Sequence, residues 1–234
     1  MILLNGKKIT PTIFPDKTSQ VWKLDEIRYY DNIITWVFEN EAEFLHLAQL
    51  KDLILDASLC IKYLPYARQD KEITNNTTFA LRTFSKLLNS LNFKKVIIID
   101  VHSDIALYLI DNSITKLPSN FYKIVDKYKN ICYPDKGASG RYDIKRENKI
   151  IGNKTRDQLT GYITNYTISG DVKNKNILIV DDICDGGMTF ILLVKKLIEN
   201  GANRVDLYVS HGLFTKGTQC LYDAGITNIY MGDM

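Results

Sequence analysis

The chain has 234 residues, 45% of them hydrophobic and 24% charged, enough to bury one large core or two small ones. Thirty Lys and Arg against 27 Asp and Glu leave a formal charge of +3, too weak a bias to point to a nucleic-acid or membrane partner, and neither is expected. Cys60, Cys132, Cys184 and Cys220 are widely spaced, with no Cys-x-x-Cys pair and no histidine at zinc-ligand spacing, and no stretch approaches the roughly 18 uncharged apolar residues of a membrane span, so a disulfide framework, a zinc site and a transmembrane helix all fall away. The opening MILLNGKKIT is too short an apolar run for a signal peptide, and a cytoplasmic location is expected.

Along the chain, short β-branched runs alternate with helical patterns. Residues 33–38 read as a buried strand, followed by Phe44, Leu47, Leu50 and Ile54 at helical spacing; 59–64 read as the next strand, followed by Ala80, Phe84, Leu87, Leu88 and Leu91. A third strand is read at 96–99. Then come strands at 177–180 and 205–209, with Phe190, Val194, Leu197 and Ile198 on a helix between them that stops at Asn200-Gly201. This alternation predicts an α/β fold with mostly parallel sheets and helices on both faces. The polar, turn-rich stretch 112–120 predicts a boundary between two doubly wound units, 1–114 and 115–234, with ligands collecting at the carboxyl edges of the strands.

Two segments carry chemistry at such edges. Tyr63-Leu-Pro-Tyr-Ala-Arg-Gln-Asp-Lys71 follows the 59–64 strand: Arg68 can grip phosphate bidentately, Gln69 offers amide contacts to a base or sugar, and Asp70 and Lys71 set charge around a metal-bound polyphosphate. From the residues alone, a solvated turn of mixed charge is an equal reading. Ile177-Leu-Ile-Val-Asp-Asp-Ile-Cys-Asp-Gly-Gly-Met-Thr189 is an apolar strand that ends in carboxylates, a glycine turn and a helix. Asp181 or Asp182 can accept from the vicinal hydroxyls of a ribose or hold a magnesium-bound water, and Asp185, Gly186, Gly187, Met188 and Thr189 can turn backbone N–H groups and a hydroxyl toward a phosphate at the helix start. An ordinary capped helix would use Asp, Gly and Thr too, but needs no such combination in one turn.

The second segment resembles the phosphate loop of type I phosphoribosyltransferases, and Tyr66-Ala-Arg-Gln-Asp70 is similar almost letter for letter to a signature of the ribose-phosphate diphosphokinases, the phosphoribosyl-pyrophosphate synthetases. Three further segments resemble that family in the same order: Asp100-Val-His-Ser103, Tyr133-Pro-Asp-Lys-Gly-Ala-Ser-Gly-Arg141, and Asn153-Lys-Thr-Arg156. The resemblance implies transfer of the β,γ-diphosphoryl group of ATP to the anomeric hydroxyl of ribose 5-phosphate, with magnesium as cofactor and a homo-oligomer as the working form. It implies His102 beside metal-bound ATP, Asp135 as a second metal ligand, a pyrophosphate loop with Asp135, Lys136, Gly137 and Arg141, and Lys154 and Arg156 as catalytic cations on a mobile loop within 151–162. Two departures stand out. The adenine element reads Phe14-Pro-Asp-Lys-Thr18, keeping Phe14 and Asp16 but not the family's glutamate, and the phosphate loop reads Asp-Gly-Gly-Met-Thr in place of the commoner Asp-Thr-Ala-Gly-Thr. ADP-ribose is therefore carried as an alternative acceptor, in a reaction serving NAD synthesis from nicotinamide, and a non-catalytic regulatory homologue as an alternative class.

Overall fold

The computed structural model describes residues 1–142, 144, 148–156 and 163–233, with 148, 154–156 and 163–165 described as backbone only. The chain divides into two compact units, Met1–Leu117 and Pro118–Asp233. In the first, β1 (Ile2–Leu4), β2 (Lys7–Lys8), a small hairpin of β3 (Thr12–Ile13) and β4 (Ser19–Gln20), and β5 (Asn32–Trp36) precede α1 (Glu43–Leu53), β6 (Ala57–Ile61), α2 (Ala80–Ser90), β7 (Lys95–Ile99), α3 (Ile105–Leu109) and β8 (Ser113–Lys116). Its sheet runs β2-β1-β5-β6-β7-β8, with β5 to β8 parallel and β1 antiparallel to both neighbours. Ser113–Lys116, inside the polar stretch taken from the sequence as a boundary, is therefore the edge strand of this unit: Val96 N–H and Asp100 N–H bond to Asn112 O and Lys116 O, and pairing overrides composition there.

Buried Ile34, Trp36, Leu59, Ile61, Val96 and Ile98 alternate along the strands and pack with Leu47 and Leu50 of α1 and Leu81, Phe84 and Leu88 of α2. Each fully buried aliphatic side chain of this kind contributes roughly 1.5–3 kcal/mol of transfer free energy. Leu87, expected on the inner face of α2, is instead 53% exposed. Ser85 takes part in the buried face by bonding back to Leu81 O at 2.8 Å, which leaves Leu87 at its margin.

The second unit comprises α4 (Phe121–Val125), β9 (Asn130–Tyr133), α5 (Lys136–Arg141), β10 (Asn148–Arg156), β11 (Ile163–Ser169), β12 (Asn176–Cys184), α6 (Met188–Glu199), β13 (Arg204–Gly212), α7 (Gln219–Asp223) and β14 (Ile226–Met231). Its sheet runs β11-β10-β9-β12-β13-β14, parallel except for the β10–β11 pair. Ile177, Leu178, Ile179 and Val180 are all fully buried, so both faces of β12 are covered, as the continuous apolar run predicts. Ile177 and Ile179 pack with Phe190, Leu193, Val194 and Leu197 of α6. An aromatic group covers other ground, with Phe121 stacked on Tyr142 at 5.2 Å between ring centres and meeting Tyr208 edge-on at 5.2 Å. The helix stop is where the sequence puts it: Gly201 has φ +88°, and Ala202 N–H bonds back to Leu197 O.

Candidate active site

In the second unit the site is built on the far end of β12. The strand does not stop at Val180; it continues through Asp181 and Asp182 to Cys184, because β13 is equally long and pairs with it as far as Cys184 opposite Gly212. The two carboxylates thus sit on a paired strand. The Arg141 guanidinium, at the end of α5, reaches Asp182 at 2.5 Å and Asp181 at 3.5 Å. Asp181 bends toward the same side by accepting from Asp182 N–H at 3.0 Å. All three side chains are sheltered, with 3% of Asp182 exposed. Burial pushes the Asp181 carboxyl well above the usual carboxylate range, the charge of Asp182 adds to this, and Arg141 only partly opposes it. Burial would also lower the Arg141 pKa, but the two carboxylates more than compensate and hold the guanidinium charged.

Next comes the turn into α6. Gly187 occupies the N-cap position with φ +77°, a left-handed conformation that a Cβ would strain, and an added Cβ would lie 3.0 Å from Leu221. Glycine has no side chain to cap the helix, so the first N–H groups of this twelve-residue helix receive no bond from their N-cap residue's side chain. Met188 at the helix start is 55% exposed, and Thr189 is half-buried. Asp185 accepts from the Thr215 hydroxyl at 2.7 Å, which ties the loop to the turn after β13.

The segment expected as a pyrophosphate loop is a short helix instead. Asp135 is its N-cap, accepting from Ala138 N–H at 2.9 Å, and Lys136 and Gly137 form its first turn. Lys154 and Arg156, expected on a loop, stand on β10, where Lys154 is in register with Tyr166 and Arg156 with Ile163 of β11. Antiparallel pairing holds this stretch as a strand. Residues 157–162, the remainder of that expected loop, lie outside the described residues, as do the side chains of Lys154 and Arg156.

The first unit gathers the other predicted group at the carboxyl ends of its strands. After β6 the chain turns at 65–68, closed by Gln69 N–H to Tyr66 O at 2.8 Å, and Gln69 O in turn accepts from Leu81 N–H at the start of α2. Tyr66 has φ +62°, costly for a non-glycine residue; its ring packs on Phe84 and its hydroxyl bonds Glu41. That bond to a carboxylate, together with burial, pushes the Tyr66 hydroxyl up to about 12. Arg68 and Gln69 are exposed and Asp70 is half-buried. After β7, buried Asp100 takes φ +41° and leads to half-buried His102. Phe14 and Asp16 lie between β3 and β4, where Asp16 accepts from both N–H and Oγ of Thr18, the residue that replaces the family's glutamate. These Thr18 bonds hold the Asp16 carboxyl below its ordinary range.

Sequence reasoning missed the Arg141 pairing with Asp181 and Asp182, and the turn at Thr215 and Lys216. The only trace of the turn is a second polar, glycine-bearing stretch after an apolar strand, Gly212-Leu-Phe-Thr-Lys-Gly217.

Residues 139–221 match the model of the phosphoribosyl transferase domain family. The chain is 28% identical over 181 residues to a ribose-phosphate pyrophosphokinase of Mycoplasmopsis pulmonis, an alignment covering 72% of this chain and 56% of that protein. A protein of the same name from Aeropyrum pernix is 26% identical over 94% of this chain and 78% of its own length, and one from Cereibacter sphaeroides is 31% identical over 66% and 50%. The chain thus spans about half the length of the first and third of these relatives. Among solved structures, a phosphoribosylpyrophosphate synthetase from Mycobacterium smegmatis superposes with a TM-score of 0.73 at 20% identity, covering 96% of this chain and 79% of that one, a likeness of fold. Among the described residues, no helix is long and apolar enough to cross a membrane.

Proposed function

We propose, from a chain that belongs to the ribose-phosphate pyrophosphokinase family and has the type I phosphoribosyltransferase fold, that it catalyses transfer of the β,γ-diphosphoryl group of ATP to the anomeric hydroxyl of ribose 5-phosphate. The observation that carries this reading is the pairing of Asp181 and Asp182 with Arg141 immediately before an αL glycine and an uncapped helix start, a seat for a sugar diol followed by one for its phosphate. Relatives named for ribose phosphate support that acceptor; no observation favours ADP-ribose or a non-catalytic role.

In this mechanism Asp181 and Asp182 orient the ribose hydroxyls, and residues 185–189 hold the 5-phosphate. Arg68, Gln69, Asp70 and His102 supply the nucleotide contacts, with Phe14 and Asp16 at the base. The anomeric oxygen bonds to the β-phosphorus as the bridge to the α-phosphate breaks, AMP leaves with the electron pair, and the hydroxyl proton is released. Such a reaction asks for alignment and charge neutralisation rather than a covalent intermediate, and Lys154, Arg156 and the 135–141 segment provide cations for it.

Magnesium supplies neutralisation of phosphate charge when bound. Among the described residues, no three His, Cys, Asp or Glu side chains gather as a metal cage, and Asp135 has one oxygen committed to Ala138 N–H. An ion that enters on ATP keeps waters and takes only one or two protein ligands, and the family resemblance makes His102 of the first unit and, separately, Asp135 of the second the candidates. We further propose a cytoplasmic homo-oligomer; the exposed apolar pair Ile13 and Phe14 of the β3–β4 hairpin, Ile13 at 74%, supports self-association. The test is incubation of the protein with magnesium ATP and each acceptor in turn, with products identified by mass. Phosphoribosyl pyrophosphate and AMP are expected with ribose 5-phosphate; consumption of ADP-ribose alone, or of neither acceptor, would overturn the proposal.

A further inference from the structure

The turn between β13 and α7 is folded back tightly, with positive φ at Phe214 (+43°) and Gly217 (+71°) and a bond from Gly217 N–H to Phe214 O at 2.7 Å. Its Thr215 hydroxyl grips Asp185 at 2.7 Å. This brings the next residue, Lys216, across the phosphate loop: a Cβ placed on Gly186 would stand 3.6 Å from both Cδ and Cε of the lysine. The stem of Lys216 therefore runs over bare glycine backbone, and its ammonium is one bond beyond Cε. The side chain is otherwise solvent-exposed.

Charge makes this placement consequential. Asp182 and Asp181 before the loop are paired with the Arg141 guanidinium, and Asp185 within it is held by the Thr215 hydroxyl, so the surroundings of the loop are rich in acidic groups. The start of α6 offers N–H groups and a dipole equivalent to roughly half a charge, against the two charges of a phosphate monoester dianion. A full positive charge beside the loop strengthens such a seat, and Lys216 is a cation whose stem touches it.

We propose that Lys216 binds the 5-phosphate of the acceptor and is a specificity-determining residue for phosphorylated sugars. The inference rests on the reading of residues 185–189 as the acceptor's phosphate seat and adds to it a ligand from a different strand end. A charged hydrogen bond at a partly exposed position corresponds to about a tenfold change in affinity.

Calorimetric titration of the full chain with ribose 5-phosphate, and separately with magnesium ATP, tests it. In Lys216→Ala the dissociation constant for ribose 5-phosphate should rise about tenfold, in Lys216→Glu it should rise further, and in Lys216→Arg it should stay near the parent. ATP affinity should change less than twofold throughout. In turnover assays, KM for the sugar should rise in Lys216→Ala while kcat at saturation holds, and the difference from the parent should shrink as salt is added. A parent and a Lys216→Ala variant that bind ribose 5-phosphate equally, or a variant that weakens ATP and sugar alike, overturns the role of Lys216 while the function stands. A parent that binds ATP but no ribose 5-phosphate sinks the functional reading, and the lysine's role with it.

Discussion

In the second unit β12 passes to α6 through only Asp185, Gly186 and Gly187, whereas in the first unit β6 and α2 are separated by residues 62–79. The short connection places its charges on the strand itself: Asp182 is buried and Asp181 mostly so, and both are paired with Arg141 before any ligand arrives. The long connection places Arg68 and Gln69 out on an exposed turn, whose shape depends on a left-handed Tyr66 and a bond into α2. The same architecture thus yields a preorganised seat at one strand end and a more accessible one at the other. For the proposed reaction this division suits a sugar that must be aligned closely and a nucleotide polyphosphate that brings its own counter-ion.

The largest effect is expected where a cation is asked to act on the transferring group. Lys154→Ala should lower turnover by roughly two to three orders of magnitude, the scale of losing one preorganised donor, with ATP binding nearly unchanged. Rapid-quench assays beside equilibrium ATP titration measure both. Full turnover in the variant would remove Lys154 from the chemistry.

The contrast between buried and exposed charge is tested by removing one arginine from each unit. Arg141→Met leaves two sheltered carboxylates without their cation and should cost about 3 kcal/mol of stability at neutral pH, less at pH 5 where a carboxyl can take up a proton. Arg68→Met, on the exposed turn, should shift stability by no more than about 0.5 kcal/mol while weakening ATP binding. Urea denaturation of both variants gives the comparison; similar losses for the two would erase the distinction.

How much of this could be read in advance follows from the same physics. Strands β5, β6, β7, β12 and β13 announce themselves as apolar runs rich in β-branched residues, and in β12, whose apolar stretch is buried on both faces, no polar alternation is needed. β10 and β11, which carry Asn, Lys and Thr, show no comparable signal and are held by pairing, β11 with β10 and β10 also with β9. Lys136–Arg141, with two glycines in six residues, is a helix because Asp135 caps it, which propensity does not foretell. In the site, the glycine turn after β12 was legible since all its parts are consecutive. Arg141 against Asp181 spans 40 residues, and Thr215 against Asp185 spans 30; only the fold brings these pairs together.

The subtlest expectation concerns the sign of a carboxylate's contribution to stability. Asp181 titrates well above the ordinary range when folded, because burial and its neighbour Asp182 outweigh Arg141. Its ionisation therefore opposes folding: the penalty is absent below the unfolded carboxyl's pKa, grows as pH rises from there through the folded value, and is constant beyond. Asp181→Asn removes that penalty and should raise stability by about 1 kcal/mol near pH 7, with the gain fading as pH falls toward 4, while acceptor binding is lost. Asp16 in the first unit has the opposite sign, since the Thr18 bonds lower its pKa and its support is lost in acid. Stability curves of Asp181→Asn between pH 4 and 8 decide the matter. If the variant is the weaker protein at pH 7, the attraction of Arg141 exceeds the cost of burial, and the β12 carboxylates serve the fold as well as the ligand.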